Sequence, residues 1–437
     1  MQRLLVMTLA ATASLMACAE WKTGGNIGGA NQGVRAAGNR QGGLALEEGE
    51  VAVSPDGSYF ISLKDGRLVL GDVGGDRTRK PADLPAPTRV AFWPRGQGVF
   101  ILSTATGTQT LASYDRGHDK VVWQREMPRE DRWLDVTSDG SRLVLTDDSV
   151  LLVNAETGAD VSTYRPSAFT VRDVDLTSDG QHVIITEETS AGATTTISIR
   201  KTDDGSAVCT TEAQNCADEL VLSSDETRAF LAPTLCQQDP VTVIALGKDC
   251  KVEKQLPGFG PVALSPDGKT AVAFLDRDAV DAQAAQIPQE VRGSNVRYHL
   301  MFIDTQSLTF TTQPESGALP RYAFVPDGRS LLMDLPMDVM AQAAVLDLAS
   351  GERRTVDGPP VKLHAFAFSS DSQTAFLLDG GIFELDVAGA TLRPIPLPFI
   401  PRTMNITPDG TTLLLGNEVA VHFLDVATRT EKGRAAY

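Results

Sequence analysis

A four-residue motif occurs nine times along the 437-residue chain, in complete or partial copies. Its complete form is Ser-Pro-Asp-Gly, as at residues 54–57 and 265–268. Proline presets φ for a turn, Asp hydrogen-bonds its own backbone two residues on, and Gly accepts the positive φ that completes the reversal, so each copy predicts a hairpin corner. Successive copies begin between 38 (369 to 407) and 60 (265 to 325) residues apart, and such a period indicates a repeat array. The nine copies begin at Ser54, Trp93, Thr137, Thr177, Ser223, Ser265, Val325, Ser369 and Thr407.

The residues around each motif copy predict four short strands per repeat. An apolar run precedes the turn, as at 262–264, and a second follows it, as at 142–145. A third run ends in a polar corner, and a more polar fourth run such as 120–124 leads to the next copy. Four antiparallel strands in about 42 residues match one propeller blade. We therefore predict an all-β fold, a single propeller over residues 48–437 with nine blades; eight blades with a degenerate unit is the alternative.

The third strand ends in a recognisable polar corner. It reads Asn154-Ala155-Glu156-Thr157-Gly158 in one repeat and Asp347-Leu348-Ala349-Ser350-Gly351 in another. Together with the repeated turn, this pattern resembles the WD40-like and YVTN-type propeller repeats of bacterial exported proteins, over residues 48 to 437. The Trp-Asp dipeptide of eukaryotic WD40 repeats is absent. Such families share geometry and not chemistry, so the resemblance implies no catalytic residue.

The first 17 residues have the layout of a secretory leader, with one positive charge at Arg3 and an apolar run from residue 4 to 13. The run is too short to span a bilayer. Shortly after the run comes Leu15-Met16-Ala17-Cys18, which resembles the lipobox of bacterial lipoproteins. The resemblance implies that residues 1–17 are removed and that Cys18 is lipidated, and Ala19 favours the outer membrane. An ordinary leader with an incidental cysteine is the alternative.

Residues 18–47 predict a flexible tether behind the lipidated cysteine. Eight glycines lie between Gly24 and Gly43, and a tether of about 25 residues spans roughly 25 to 30 Å. We expect residues 44–46 to supply an outer strand to the last blade, whose own fourth strand is weak in sequence. Closure by both chain ends would hide two sheet edges.

The charge of the chain excludes one class of partner. Lysine and arginine number 39 against 56 aspartates and glutamates, which gives a net charge of −17, or −18 once Arg3 is removed. An acidic surface repels phosphate backbones, so nucleic acid is not expected as a partner. We expect instead a protein partner in the cell envelope and contact with the membrane through the lipid anchor.

Four cysteines remain after Cys18, and all lie within residues 209–250. An even number in an exported protein indicates two disulfides. Of the three pairings, the strand layout favours Cys216 with Cys236 on one face and Cys209 with Cys250 near the other. Zinc is the alternative, but no C-x-x-C pair or nearby histidine supports a metal site.

The corners between second and third strands lengthen in blades 4 to 7, at residues 187–193, 233–240, 276–295 and 334–342. All four project from one face, and insertions clustered on one face of a repeat protein often mark its binding face. The alternative is that they are tolerated surface insertions, with methionines that fill a core edge. The candidate contact residues are Arg277, Asp278, Arg292, Arg297, Met333, Met337 and Met340.

No nucleophile elbow, phosphate-binding loop or zinc-protease helix occurs in the sequence, and we expect neither a cofactor nor a catalytic residue. The leading hypothesis is a noncatalytic protein-binding or scaffolding lipoprotein of the envelope. A propeller enzyme with chemistry at the central funnel, such as a lactonase or quinoprotein-like oxidoreductase, and a polysaccharide-binding module are the alternatives.

Overall fold

The computed structural model describes residues 49–81, 84, 86–105, 107–127, 133–165, 171–189, 194–213, 219–233, 239–278, 285–315, 322–335, 342–361 and 365–437. These residues form nine sheets, each of four antiparallel strands hydrogen-bonded in chain order. The predicted nine-bladed, all-β propeller is therefore confirmed.

Blades 1 to 3 contain β1 (Val51–Val53), β2 (Tyr59–Lys64), β3 (Arg67–Asp72), β4 (Thr78–Arg79), β5 (Pro87–Phe92), β6 (Gly98–Ala105), β7 (Thr108–Asp115), β8 (Lys120–Met127), β9 (Trp133–Val136), β10 (Arg142–Thr146), β11 (Val150–Asn154) and β12 (Asp160–Tyr164). Blades 4 to 6 contain β13 (Val171–Leu176), β14 (His182–Thr189), β15 (Thr194–Lys201), β16 (Ala207–Ala213), β17 (Glu219–Leu222), β18 (Arg228–Ala232), β19 (Val241–Ala245), β20 (Lys251–Leu256), β21 (Phe259–Leu264), β22 (Thr270–Asp276), β23 (Tyr298–Asp304) and β24 (Phe310–Glu315). Blades 7 to 9 contain β25 (Tyr322–Phe324), β26 (Ser330–Leu335), β27 (Gln342–Asp347), β28 (Arg353–Thr355), β29 (Ala365–Phe368), β30 (Thr374–Leu378), β31 (Ile382–Asp386), β32 (Thr391–Ile395), β33 (Thr403–Ile406), β34 (Thr412–Gly416), β35 (Ala420–Asp425) and β36 (Glu431–Ala436).

The repeated motif forms the turn between the first two strands of each blade. In blade 6, Ser265 Oγ donates to Asp267 Oδ1 at 2.7 Å, and the backbone N–H of Lys269 donates to the same oxygen at 3.1 Å. Gly268 takes the positive φ of 68° that closes the turn. The hydrogen bond from Ser265 holds the pKa of Asp267 below its ordinary value. The aspartate is thus committed to the turn, as the sequence predicts.

A second corner packs against each turn. The backbone N–H of Thr305, just after the third strand of blade 6, donates to the carbonyl of Lys269 at 2.9 Å, and the corresponding bond occurs in all nine blades. Turns and third-to-fourth-strand corners therefore share one side of the ring, the turn face. The second-to-third-strand corners and the links between blades share the other side, the insertion face.

The ring closes through side chains, because all four strands of blade 9 come from the C-terminal part of the chain. The outer strand is β36, in which Ala436 pairs with Ala420 of β35. Residues 44–46, expected in that position, lie outside the described residues, and the position is already filled. Phe423 of blade 9 packs against Phe60 of blade 1 with ring centroids 5.8 Å apart, inside a buried apolar cluster shared by the two blades.

Helix is minor in the described part of the chain. A short helix, α1 (Gln289–Arg292), lies within the blade 6 insertion. None of the described residues belongs to a helix long and apolar enough to cross a bilayer.

Candidate functional site

The long corners of blades 4 to 7 all lie on the insertion face, since each joins the second strand of its blade to the third. The connections run between the strand ends at 189 and 194, 232 and 241, 276 and 298, and 335 and 342. Residues 190–193, 234–238, 279–284 and 336–341 lie outside the described residues. Of the four long corners, the blade 6 insertion therefore has the most described residues.

An ion pair braces the base of the blade 6 insertion. Arg297 donates from Nη2 and Nε to Asp276 Oδ2, at 2.9 and 3.1 Å. The Asp276 side chain is only 8% exposed, and its hydrogen bonds raise the pKa of Arg297. The Arg297 guanidinium also lies 4.9 Å from the ring centre of Tyr298, a cation–π distance. Burial of the carboxylate makes this pair structural, although half of the Arg297 side chain is exposed.

Arg277 ties the two ends of the insertion together. Its Nη1 donates to the carbonyl oxygen of Ser294 at 2.6 Å, and its Nε donates to Asp278 Oδ1 at 3.0 Å. The Arg277 guanidinium holds the pKa of Asp278 below its ordinary value. Two of the predicted contact residues, Arg277 and Asp278, therefore engage each other and the loop backbone.

The helix α1 attaches the insertion to the blade. Ile287 and Val291 are buried in the cluster that contains Leu275 and Met301, so one side of the insertion is part of the core between blades 5 and 6. Arg292, in the last turn of α1, is exposed. The described residues 285–297 are thus held against the blade, and they leave Arg292 and part of Arg297 exposed at the rim.

Met333 is a core residue. It is fully buried with Phe274 and Leu346 in the cluster between blades 6 and 7. The prediction that it contributes to an exposed contact surface is wrong, because both faces of β26 are covered by neighbouring blades: Leu332, on the opposite face, is 1% exposed. Met337 and Met340, the other two methionines of the predicted sector, lie outside the described residues, as do Cys18, Cys216 and Cys236.

The structure joins Cys209 to Cys250 by a disulfide, as the strand layout predicts. Cys209 lies in β16, the outer strand of blade 4, and Cys250 precedes β20, the outer strand of blade 5. The bond therefore links two adjacent blades near the turn face.

Two acidic residues at the central channel support the neighbouring blade. Asp173 Oδ2 accepts a hydrogen bond from the N–H of Leu220 at 3.0 Å, and Glu219 Oε2 accepts one from the N–H of Val262 at 3.0 Å. Both carboxylates stand four residues before their turns, on the innermost strand. They satisfy N–H groups on the otherwise unpaired inner strand edge. Sequence reasoning missed this role, although the shared position before the turn is a signal that would have shown it.

His299 is a second polar residue that sequence reasoning left unassigned. It is 3% exposed, its Nε2 lies 3.3 Å from the carbonyl oxygen of Val296, and its Nδ1 has no hydrogen-bond partner among the described residues. Burial lowers the pKa of its imidazole. The described residues contain no group of three or more His, Cys, Asp or Glu side chains placed to hold a metal ion.

The fold has known counterparts, although no family model and no curated protein matches the chain. A crystal structure described as the eukaryotic initiation factor matches with a TM-score of 0.53 and 16% identity, covering 80% of this chain and 88% of that one. Dihydro-heme d1 dehydrogenase NirN in complex with DHE matches with a TM-score of 0.50 and 16% identity, covering 78% and 73%. The Cps50 (Swd1) beta-propeller domain of Myceliophteria thermophila has a TM-score of 0.39 and 11% identity, covering 68% and 93%. At these identities the similarity extends to the fold alone.

Proposed function

We propose that this chain is a noncatalytic protein-binding or scaffolding propeller of the bacterial envelope, related to the exported WD40-like and YVTN-type repeats, and that its insertion face receives the partner. The observation that supports this most is the blade 6 insertion. Buried Ile287 and Val291 fix it to the rim while Arg292 stays exposed. A segment that is already packed against the blade loses little conformational freedom on binding, which favours association.

The proposed lipid anchor fits this orientation. The strand β1 runs from the insertion face toward its turn at Ser54, so the described chain begins at Gly49 on the insertion face. A tether from a lipidated Cys18 to Gly49 would therefore join the ring on the side that carries the long corners. We propose that the anchor places this face toward the membrane and toward partners held there.

The enzyme alternatives need polar side chains that meet a substrate at the channel mouth. Asp173 and Glu219 instead accept hydrogen bonds from backbone N–H groups of adjacent blades. Similarity to a dehydrogenase at 16% identity conveys fold and no chemistry. These observations favour the binding proposal over catalysis.

A charge reversal on each face tests the proposal. Full-length protein carrying Arg292→Glu is compared with protein carrying Arg329→Glu, an exposed arginine on the turn face of blade 7. Both variants change the net charge equally. Chemical cross-linking in cells, followed by purification and identification of the cross-linked proteins, should lose a partner with Arg292→Glu and keep it with Arg329→Glu. Equal capture by wild type and both variants would contradict the assignment of the insertion face.

A further inference from the structure

Each blade meets the next through one repeated position on its outer strand. We call this the clasp position. It is found from the seventh residue after the start of the turn, which lies on the second strand and pairs with a residue of the third strand. The outer-strand partner of that third-strand residue occupies the clasp position. In blade 5 the seventh residue, Phe230, pairs with Val243, and Val243 pairs with Lys254. The same count gives Arg354 in blade 7 and Thr311 in blade 6.

At four of the nine junctions the clasp residue bonds to the third-to-fourth-strand corner of the following blade, among the described residues. The indole N–H of Trp123 donates to the carbonyl oxygen of Ala155 at 3.0 Å. Cys209 is also at the clasp position, and it forms its disulfide with Cys250 in the next corner. At these two junctions the corner is therefore bonded directly to the clasp residue of the preceding blade.

The junctions on either side of blades 6 and 7 are closed by cations. Lys254 Nζ donates to the carbonyl oxygen of Leu308 at 2.7 Å, which joins blade 5 to blade 6. Arg354 Nη1 donates to the carbonyl oxygen of Ala388, which joins blade 7 to blade 8. In both, the corner carbonyl receives a charged N–H donor, the stronger class of hydrogen bond.

The junction between blades 6 and 7 has Thr311 at the clasp position, and within the described residues Thr311 forms no hydrogen bond to the corner of blade 7. Contacts with blade 7 are made further along β24. Two residues after Thr311, Gln313 Nε2 donates to the carbonyl oxygen of Gly351 at 2.9 Å. Four residues after Thr311, Glu315 pairs with Arg353 at 2.6 Å. Between these contacts and the turn face lies a groove of about 410 Å³. Its lining includes half-buried Phe302.

The groove carries negative charge. Asp304 and Asp347 line it, and each begins a corner in which its Oδ1 accepts hydrogen bonds from the serine three residues on. These bonds lower the pKa of both carboxyls, so both are ionised at neutral pH. The whole chain has a net charge of −17, which favours a basic partner.

We propose that this groove is a docking site for a lysine or arginine side chain from a basic segment of a partner protein. The incoming side chain would place a cation beside the corner of blade 7, as Lys254 and Arg354 do at the corners of blades 6 and 8. Its aliphatic stem would lie against Phe302, and its N–H groups would face Asp304 and Asp347. The groove lies near the turn face and is therefore separate from the proposed binding surface on the insertion face. An experiment can contradict one of the two proposals without contradicting the other.

The first test fills the groove from within the chain. Fluorescein-labelled Gly-Arg-Gly-Arg-Gly-Arg peptide is titrated into the full-length protein at low ionic strength, and anisotropy gives the dissociation constant. Thr311→Arg should weaken binding by roughly tenfold, because it places the chain's own guanidinium in the groove. Thr163→Arg, an exposed threonine on the outer strand of blade 3, makes the same charge change elsewhere and should leave most of the affinity. Equal weakening by both variants would overturn the proposal.

The second test removes the two carboxylates without removing the corners. Asn154 occupies the same corner position in blade 3 and accepts the same bonds from its i+2 and i+3 residues, so Asp304→Asn and Asp347→Asn should fold. The double variant should weaken the arginine peptide by roughly fivefold. Unchanged affinity would overturn the proposal. Binding of N-acetyl-tryptophanamide or a neutral disaccharide as tightly as the arginine peptide would also overturn it, because the groove would then show no preference for positive charge.

Discussion

The side-chain amide of Asn405 donates a hydrogen bond to the carbonyl oxygen of Val51, 3.3 Å away, across the junction between the last blade and the first. Thr403 Oγ1 makes a second such bond, to the carbonyl oxygen of Gly49 at 2.8 Å. Because blade 9 takes all four strands from the C-terminal part of the chain, the ring depends at this junction on side chains and on the Phe60–Phe423 packing.

Asn405→Ala is expected to weaken ring closure. Asn405 is 5% exposed, and loss of its amide leaves the Val51 carbonyl without this donor, which should cost about 1–2 kcal/mol of unfolding free energy. Urea denaturation followed by tryptophan fluorescence measures the loss. Alanine itself suits the position, since Ala52, Ala91 and Ala263 stand two residues before the turn in their own blades. An unchanged urea midpoint would show that the Asn405–Val51 hydrogen bond adds no net stability to ring closure.

The turns and the blade count were predictable because their chemistry is local. Ser265, Asp267 and Gly268 lie within four residues of one another, and their hydrogen bonds need no distant partner. The Cys209–Cys250 pairing was predictable for a related reason: once four strands per repeat are assigned, the two cysteines fall near the same face of adjacent outer strands.

Several features that depend on strand register or on the next blade were not predicted. Met333 was predicted to be exposed because it lies beside a long corner, but neighbouring blades bury both faces of β26. The outer strand β36 is polar, so its composition is a weak signal for a strand. It is a strand because it pairs with β35. The clasp position becomes visible only when the registers of two strand pairs are read together, so the groove at Thr311 had no sequence signal.

The disulfide should contribute measurably to stability. Cys209 and Cys250 are 41 residues apart, and closing such a loop in the unfolded chain corresponds to roughly 2–4 kcal/mol of unfolding free energy. Cys209→Ser with Cys250→Ser is expected to lower the unfolding free energy by that amount in urea denaturation. Equal stability of the double variant and oxidised wild type would mean that the bond adds no net stabilisation.

A thiol count tests the remaining predicted pair, Cys216 with Cys236. Full-length protein carrying Cys18→Ser should show no reactive thiol when titrated with a chromogenic disulfide reagent in denaturant. Adding Cys209→Ser and Cys250→Ser should still give none, because the last two cysteines are expected to be bonded to each other. Two reactive thiols in this second variant would contradict the prediction.

His299 should make the stability of the chain depend on pH in mildly acidic solution. Burial and the nearby Arg277 lower the pKa of its imidazole from the ordinary 6.5, so below pH 6.5 the unfolded chain binds a proton that the folded chain does not. The stabilisation is therefore complete above pH 6.5 and is lost as the pH falls toward the lowered folded value, with a slope of up to about 1.4 kcal/mol per pH unit. In urea denaturations between pH 7.5 and 5, His299→Leu should flatten this slope, whereas Met301→Leu, two residues along the same strand face, should keep it. A His299→Leu profile parallel to wild type would show that His299 takes up its proton in the folded protein as readily as in the unfolded chain.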